Sequence, residues 1–187
     1  MTTSTPPPTV QPTRGYFAIG AERMSKALNL GNLMRSAHGF GASFTFTIGA
    51  TYQALEARAD TSKGGAHLPH YDWANPAALS LPSGCKLIGV ELIDDAIDLP
   101  SFRHPLKAAY VLGPERGSLS PALLARCDYV VKIPTSFCVN VAMAGAIVMY
   151  DRVRTLGRFA PRPISEGGPT EPLPPHQFGG RVIRTAT

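Results

Sequence analysis

The alternation of apolar and polar positions divides the chain into strand-length and helix-length segments. Apolar residues first cluster at Tyr16 to Ile19, which predicts a short strand, and the chain then turns polar. Asn29 is placed as the N-cap of a helix running to about His38 and closed by Gly39 or Gly41. "ASFTFTIGA" alternates aromatic, β-branched and small residues and predicts a second strand. Residues 60–76 are rich in turn formers and predict a surface loop. In "CKLIGVEL", the nearly continuous run of Leu87, Ile88, Val90 and Leu92 predicts a third strand covered on both faces. "AAYVLG" is the fourth, and Ser120-Pro121 supplies an N-cap and a proline at N1 for the helix "PALLARC". "DYVVKIP" is the fifth strand. "NVAMAGAIVMYDRVR" is a long helix, small and apolar on most of its faces and so expected to be largely buried.

Strands alternating with helices predict an α/β fold, a mainly parallel sheet with helices on both faces. Ligands in such sheets sit beyond the carboxyl ends of the strands, so the chemistry belongs to three loops: 20–29, 113–120 and 134–140. At 187 residues and 44% hydrophobic, the chain has room for one such domain. Ten of its 18 prolines lie before residue 15 or after residue 160, which places the domain at 15–160. A disordered Pro/Thr-rich tail at 1–14 and a Pro/Gly-rich tail at 161–187 are expected on either side. The net charge of +5 gives a mild push toward a polyanionic partner such as RNA. Three widely spaced cysteines, Cys85, Cys127 and Cys138, argue against a disulfide framework or a zinc site and fit the reducing cytoplasm. The longest apolar run is too short to cross a membrane and contains Asn140, so no membrane partner is expected.

Each loop carries a candidate constellation. Arg35, about two turns beyond Asn29 and Gly31, can complete an anion site at a helix start, or be a solvated side chain on a capped helix. In "LGPERGSLS", glycine and proline at a strand end force a turn where a ligand can approach the backbone, and Glu115 can accept hydrogen bonds from a ligand or from a neighbouring loop. Neither a P-loop nor a Rossmann fingerprint is present. Asn140 either caps the last helix or points into a pocket, and Cys138 reads as a small structural cysteine rather than a nucleophile. His67, His70 and Asp72 lie within six residues but lack a second ligand pair, so no metal is assigned. Tyr71, Trp73 and His70 offer rings on which an RNA base could stack.

Taken in order, the three constellations resemble the SpoU/TrmH branch of the SPOUT RNA methyltransferases. The first motif of that family is Asn-x-Gly-x-x-x-Arg, then a small residue, Ala and Phe-Gly; here Asn29-x-Gly31-x-x-x-Arg35-Ser36-Ala37 is followed by Phe40-Gly41. Its second, Gly-x-Glu-x-x-Gly-Leu/Ile-Ser, is met by Gly113-Pro-Glu115-Arg-Gly117-Ser-Leu-Ser120, with the inner glycine one residue early. Its third is met by Ile133-Pro134 and Cys138-Val139-Asn140-Val141-Ala142, with cysteine for the family serine and a shorter linker. The resemblance covers about residues 15–155.

It implies a deep C-terminal trefoil knot, a homodimer with the knotted regions at its interface, and S-adenosyl-L-methionine (SAM) as methyl donor without a metal. The implied product is a 2'-O-methylated ribose in tRNA or rRNA. Backbone around Val90, Leu112, Gly113, Ile133 and Val139, beside Cys138, would hold the adenosine. Arg35 would meet the phosphate of the target nucleotide and assist deprotonation of its hydroxyl, with Asn29 and Asn140 as positioning groups. Glu115 would brace the second motif or serve as the base. A non-catalytic RNA-binding dimer and a base-methylating enzyme of the same fold are the alternatives. Arg158, Arg162, Arg181 and Arg184 are further candidates for phosphate contact, or are solvated tail charges.

Overall fold

Six of the seven residues from Tyr16 to Glu22 are buried, the signature of a strand covered on both faces. In the computed structural model, which describes residues 15–50, 68–159, 162–163 and 166–167, this strand, β1, runs three residues past the expected Ile19 and carries the glutamate into the interior. α1 (Ala27–Gly39), β2 (Phe44–Ile48), β3 (His70–Trp73), β4 (Lys86–Val90), β5 (Ile97–Asp98), β6 (Lys107–Leu112), α2 (Pro121–Leu124), β7 (Tyr129–Lys132) and α3 (Val141–Leu156) follow. The seven strands form one sheet in the order β3-β2-β1-β6-β4-β7-β5, and every pairing is parallel. β1 and β6 occupy the middle, with Ala18 beside Ala109 and Ile19 beside Tyr110.

Both faces are covered, unequally. Leu30, Leu33, Met34 and Ala37 of α1 and Val141, Ala144, Val148 and Met149 of α3 pack on one face against Ile19, Val90, Ala108 and Leu112. Gly145 permits their closest approach: a Cβ there would lie 2.4 Å from Leu33 Cδ1. The other face, Ala18, Phe44, Phe46, Ala109 and Val111, is closed by the short α2 and its approach, through Leu119 and Leu123, and by Leu79. Ser120 caps α2 as expected, its hydroxyl accepting from Leu123 N–H at 3.2 Å. The sheet and both helical layers belong to the first of two units in the chain, which ends at Gly157.

Four expectations need correction. Asn29 is not the N-cap of α1, because the helix starts at Ala27 after Lys26 and no side chain caps it. The predicted loop at 60–76 contains the edge strand β3, which β2 holds by parallel pairing from Thr45 beside His70 to Ile48 beside Trp73. The two-residue β5 went unpredicted, being too short for any periodicity. α3 is not buried all round: Met143, Ile147 and Tyr150, spaced four and three residues apart, are exposed along one stripe. The predicted tails, apart from residues 162–163 and 166–167, and His67 lie outside the described residues.

Candidate active site at the carboxyl ends of the strands

β1 ends on a buried carboxylate, and that charge fixes the loop after β6. Glu22, 2% exposed, accepts from the backbone N–H of Ser120 at 2.7 Å and from its hydroxyl. Arg23 takes a left-handed conformation, φ +48°, unique among the described non-glycine residues. Its guanidinium donates to Ser118 O at 3.0 Å. At the end of β4, Glu91 accepts from Leu119 N–H at 2.7 Å. Gly113 opens the loop in tight quarters, since a Cβ there would come within 3.3 Å of both Glu91 Oε2 and Leu119 N. Gly117, at φ +98°, reverses the chain.

Glu115 reaches back from this loop to the start of α1. One oxygen accepts from Ser25 N–H and the Ser25 hydroxyl, both at 2.9 Å; the other accepts from Lys26 N–H at 3.0 Å and Asn29 Nδ2 at 3.1 Å. Partial burial works to raise its pKa, but the backbone and side-chain donors, Ser25 first, outweigh it and hold the carboxyl below its usual range. Asn29 Oδ1 in turn accepts from Asn140 Nδ2 at 3.2 Å. Asn140 caps α3, its carbonyl oxygen accepting from the N–H groups of Ala142 at 2.9 Å and Met143 at 3.4 Å. One chain of hydrogen bonds therefore joins the starts of two helices to the loop after β6.

Beneath that chain lies a cleft of about 310 Å³. All six residues expected around an adenosine line it, Val90, Leu112, Gly113, Ile133, Cys138 and Val139, together with Asn29, Glu115 and Asn140. Arg35 does not. It stands exposed on α1, outside the cleft of its own chain. Sequence reasoning missed Lys26, Glu91 and Thr135, which also line the cleft, and the bracing by Glu22 and Arg23. An acidic residue closing an apolar strand run, Glu22 as the last residue of β1 and Glu91 directly after β4, was the available signal.

A parallel sheet whose strand ends carry one apolar, backbone-lined cleft, closed by loops that carboxylates and amides tie together, defines an α/β protein of the ligand-binding kind. The sequence model of the SpoU rRNA Methylase family matches residues 16–150, and the chain belongs to that family. The tRNA (guanosine(18)-2'-O)-methyltransferase TARBP1 of Mus musculus is 27% identical over 146 residues, covering 73% of this chain and 9% of the mouse protein. Among solved structures, the SpoU methyltransferase AviRb from Streptomyces viridochromogenes superposes with a TM-score of 0.66 at 24% identity, over 76% of this chain and 61% of that one. AviRb has also been solved in complex with the cofactor AdoMet. The A. aeolicus TrmH/SpoU tRNA modifying enzyme gives 0.66 at 17% identity, over 76% of this chain and 77% of that one. These structural likenesses establish the fold. The chain thus spans under a tenth of the mouse relative's length and about three fifths of AviRb's.

Proposed function

We propose that the chain is a SAM-dependent RNA methyltransferase that places a methyl group on a ribose 2'-hydroxyl of tRNA or rRNA. The observation that carries this reading is the hydrogen-bond chain from Asn140 through Asn29 to Glu115, which draws the three family motifs around one cleft. The residues present fit a nucleoside. Val90, Leu112, Ile133 and Val139 supply apolar walls, and the crowded Gly113 leaves backbone bare where a purine edge would need hydrogen bonds. When bound, SAM supplies a methyl carbon on a sulfonium, an electrophile that needs no metal.

The chain's own residues would do the rest. Asn29 and Asn140 hold the two helix starts in fixed relation, so that a hydroxyl docked between them meets the methyl donor in line. Glu115 accepts four hydrogen bonds already, which supports a bracing role over that of base. Arg35 would pair with the phosphate of the target nucleotide and assist deprotonation of the hydroxyl, the proton passing to that phosphate or to a transient neighbour, since a guanidinium stays protonated.

Arg35 needs a second subunit to meet a cleft that it does not reach in its own. Leu28, 63% exposed, shares a face of α1 with Asn32 and Arg35 at helical spacing, and Met143, 60% exposed, forms an exposed stripe on α3 with Ile147 and Tyr150. A homodimer joined there would carry Arg35 into the seam. The knotted threading, the domain limits of 15–160 and a cytoplasmic location belong to the same proposal. No helix among the described residues is long and apolar enough to cross a membrane.

Transfer of tritiated methyl from SAM to RNA that lacks its own ribose methylation tests the reading, and nucleoside mass spectrometry of the product separates ribose from base. Arg35→Ala should lower transfer by about a hundredfold or more while SAM binding by calorimetry persists. Cys138 in the cleft favours a second reading, a fold that binds RNA without turnover; absence of SAM binding would select it.

A further inference from the structure

We propose that Tyr71 and Trp73 form a stacking platform for an unpaired nucleotide of the RNA that flanks the target site. This rests on the RNA methyltransferase reading and adds to it a surface outside the three motifs.

Tyr71 and Trp73 project from the same face of the edge strand β3, two residues apart. Their rings are parallel within 16°, with centroids 6.0 Å apart. Phe44 stands edge-on to Tyr71 at 5.5 Å and 86°, and Phe46 meets Trp73 at 5.4 Å and 61°. Two buried phenylalanines therefore fix the pose of two rings above them, in the edge-to-face geometry that aromatic pairs prefer. Tyr71 nonetheless remains 50% exposed. A pre-set ring with an open face costs little to order when a base stacks on it.

Charge decides what kind of partner fits. Trp73 O accepts from Gly49 N–H at 2.8 Å, and the stem of Arg23 passes over that glycine, 3.7 Å from where its Cβ would be. Arg23 then ends on Ser118 O, in the loop edging the cleft that also carries the exposed Arg116. Neither arginine is paired with a carboxylate among the described residues. Of the carboxylates nearby, that of Asp72 turns to the opposite face, where Thr47 and His70 hold it, and those of Glu22, Glu91 and Glu115 are taken up by donors of the loops. Arg23 thus links the end of the strand that carries the open Tyr71 and the half-buried Trp73 to the loop that edges the cleft. β3 lies three strands from β6, or about 14 Å at the usual strand spacing. Rings followed by guanidiniums suit a single-stranded polyanion whose bases can splay outward.

Trp73 is the sole tryptophan of the chain, so its emission reports on this surface alone. The probe is a single-stranded oligouridylate titrated into the full chain, with SAM binding followed separately by calorimetry. Saturable quenching of Trp73 is expected, and Tyr71→Ala should weaken RNA binding by about 5- to 150-fold, the range for loss of one stacked base. Tyr71→Phe should restore it, and SAM binding should be unchanged in both. Full RNA affinity in Tyr71→Ala, with Trp73 emission unmoved at saturation, would overturn the platform even if methyl transfer is intact. Quenching by RNA in a protein that binds no SAM would instead sink the methyltransferase reading and keep the platform. A fall in oligomeric mass on Tyr71→Ala, with RNA affinity unaltered, would assign the rings to a contact between copies and overturn the proposal.

Discussion

At the carboxyl ends of the strands, polar side chains reach from loop to loop and leave a space beneath them; at the amino ends they fill the space completely. The lower network centres on Arg152 of α3, fully buried and without a carboxylate partner among the described residues. It donates to Pro105 O at 2.6 Å, Leu106 O at 2.9 Å, Tyr16 O at 3.4 Å and the Tyr110 hydroxyl at 3.2 Å, and lies 5.2 Å above the centre of the Phe17 ring. The Tyr110 oxygen is 2.6 Å from His104 Nδ1, and His104 Nε2 is 3.0 Å from Asp151. One direction of donation satisfies all of these: guanidinium to Tyr110, Tyr110 O–H to Nδ1, Nε2–H to Asp151. Burial pushes the Tyr110 hydroxyl up to about 12, so it stays protonated and the chain stays intact. Every donor there meets an acceptor of the chain itself, apart from Arg152 Nε and the hydroxyl of Tyr16 at the start of β1. Around the upper cleft the amides and carboxylates fix walls and leave the middle for something else. The first arrangement is built to hold, the second to bind.

Breaking the lower network should therefore produce the largest effect on stability. Arg152→Ala removes the guanidinium's hydrogen bonds to Pro105 O, Leu106 O and Tyr16 O at the starts of β1 and β6, and the cation stacked on Phe17. A loss of about 3–5 kcal/mol is expected, from the cavity that a large, fully buried side chain leaves and from the hydrogen bonds lost with it. Urea unfolding measures it. A loss below about 1 kcal/mol would mean that the lower network is no more structural than a surface contact.

The upper site was far more legible in the sequence than the lower one, for a physical reason. Residues that line a cleft at strand ends sit next to long apolar runs and turn formers, which fix their place along the chain; the three loops were found in this way, and the family resemblance named the six residues in and beside them that line the cleft. What pairs with them was not legible. Asn29 looks like an N-cap because an asparagine before an apolar helix usually is one, and its real partner, Glu115, lies 86 residues away. Arg35 sits where its motif puts it, yet the helix turns it out of its own cleft. β3 was lost among turn formers because what makes it a strand is tertiary: Phe44 and Phe46 on one side, Thr45 and Thr47 on the other. In the lower network, Arg152 and Asp151 read as the ordinary polar end of a helix.

The two networks should also fail in separate ranges of pH. Burial, opposed by the bond to Asp151, holds His104 below its ordinary 6.5. The unfolded chain takes up that proton first, so stability present above 6.5 is lost as the pH falls through His104's lowered value. Glu115 is likewise lowered from 4.5, so its contribution is complete above 4.5 and is lost as the pH falls through its own value below that. Urea midpoints taken from about pH 8 down to pH 3 should decline in two stages. His104→Gln should flatten the upper stage alone and Glu115→Gln the lower. A single stage that both variants flatten would erase the distinction between the two ends of the sheet.

The smallest effect on stability is expected at Cys138, and it sharpens the comparison through chemistry instead. Cys138 is exposed at the cleft, while Cys85 and Cys127 are half-buried. Burial raises the Cys85 thiol and pushes Cys127 up to about 11, so neither supplies much thiolate at neutral pH. Iodoacetamide should therefore label Cys138 first, and a group attached there stands in the space that the upper network leaves open. Loss of SAM binding after one label per chain is the expected result. Cys138→Ser should change stability by less than about 0.5 kcal/mol and SAM affinity by less than about tenfold, since one hydrogen bond is exchanged for a better one. The serine variant should also keep its SAM affinity after the same treatment. If the serine variant loses binding under iodoacetamide as the parent does, the damage lies at the half-buried thiols, and the space beneath the Asn140–Asn29–Glu115 chain is not where the cofactor sits.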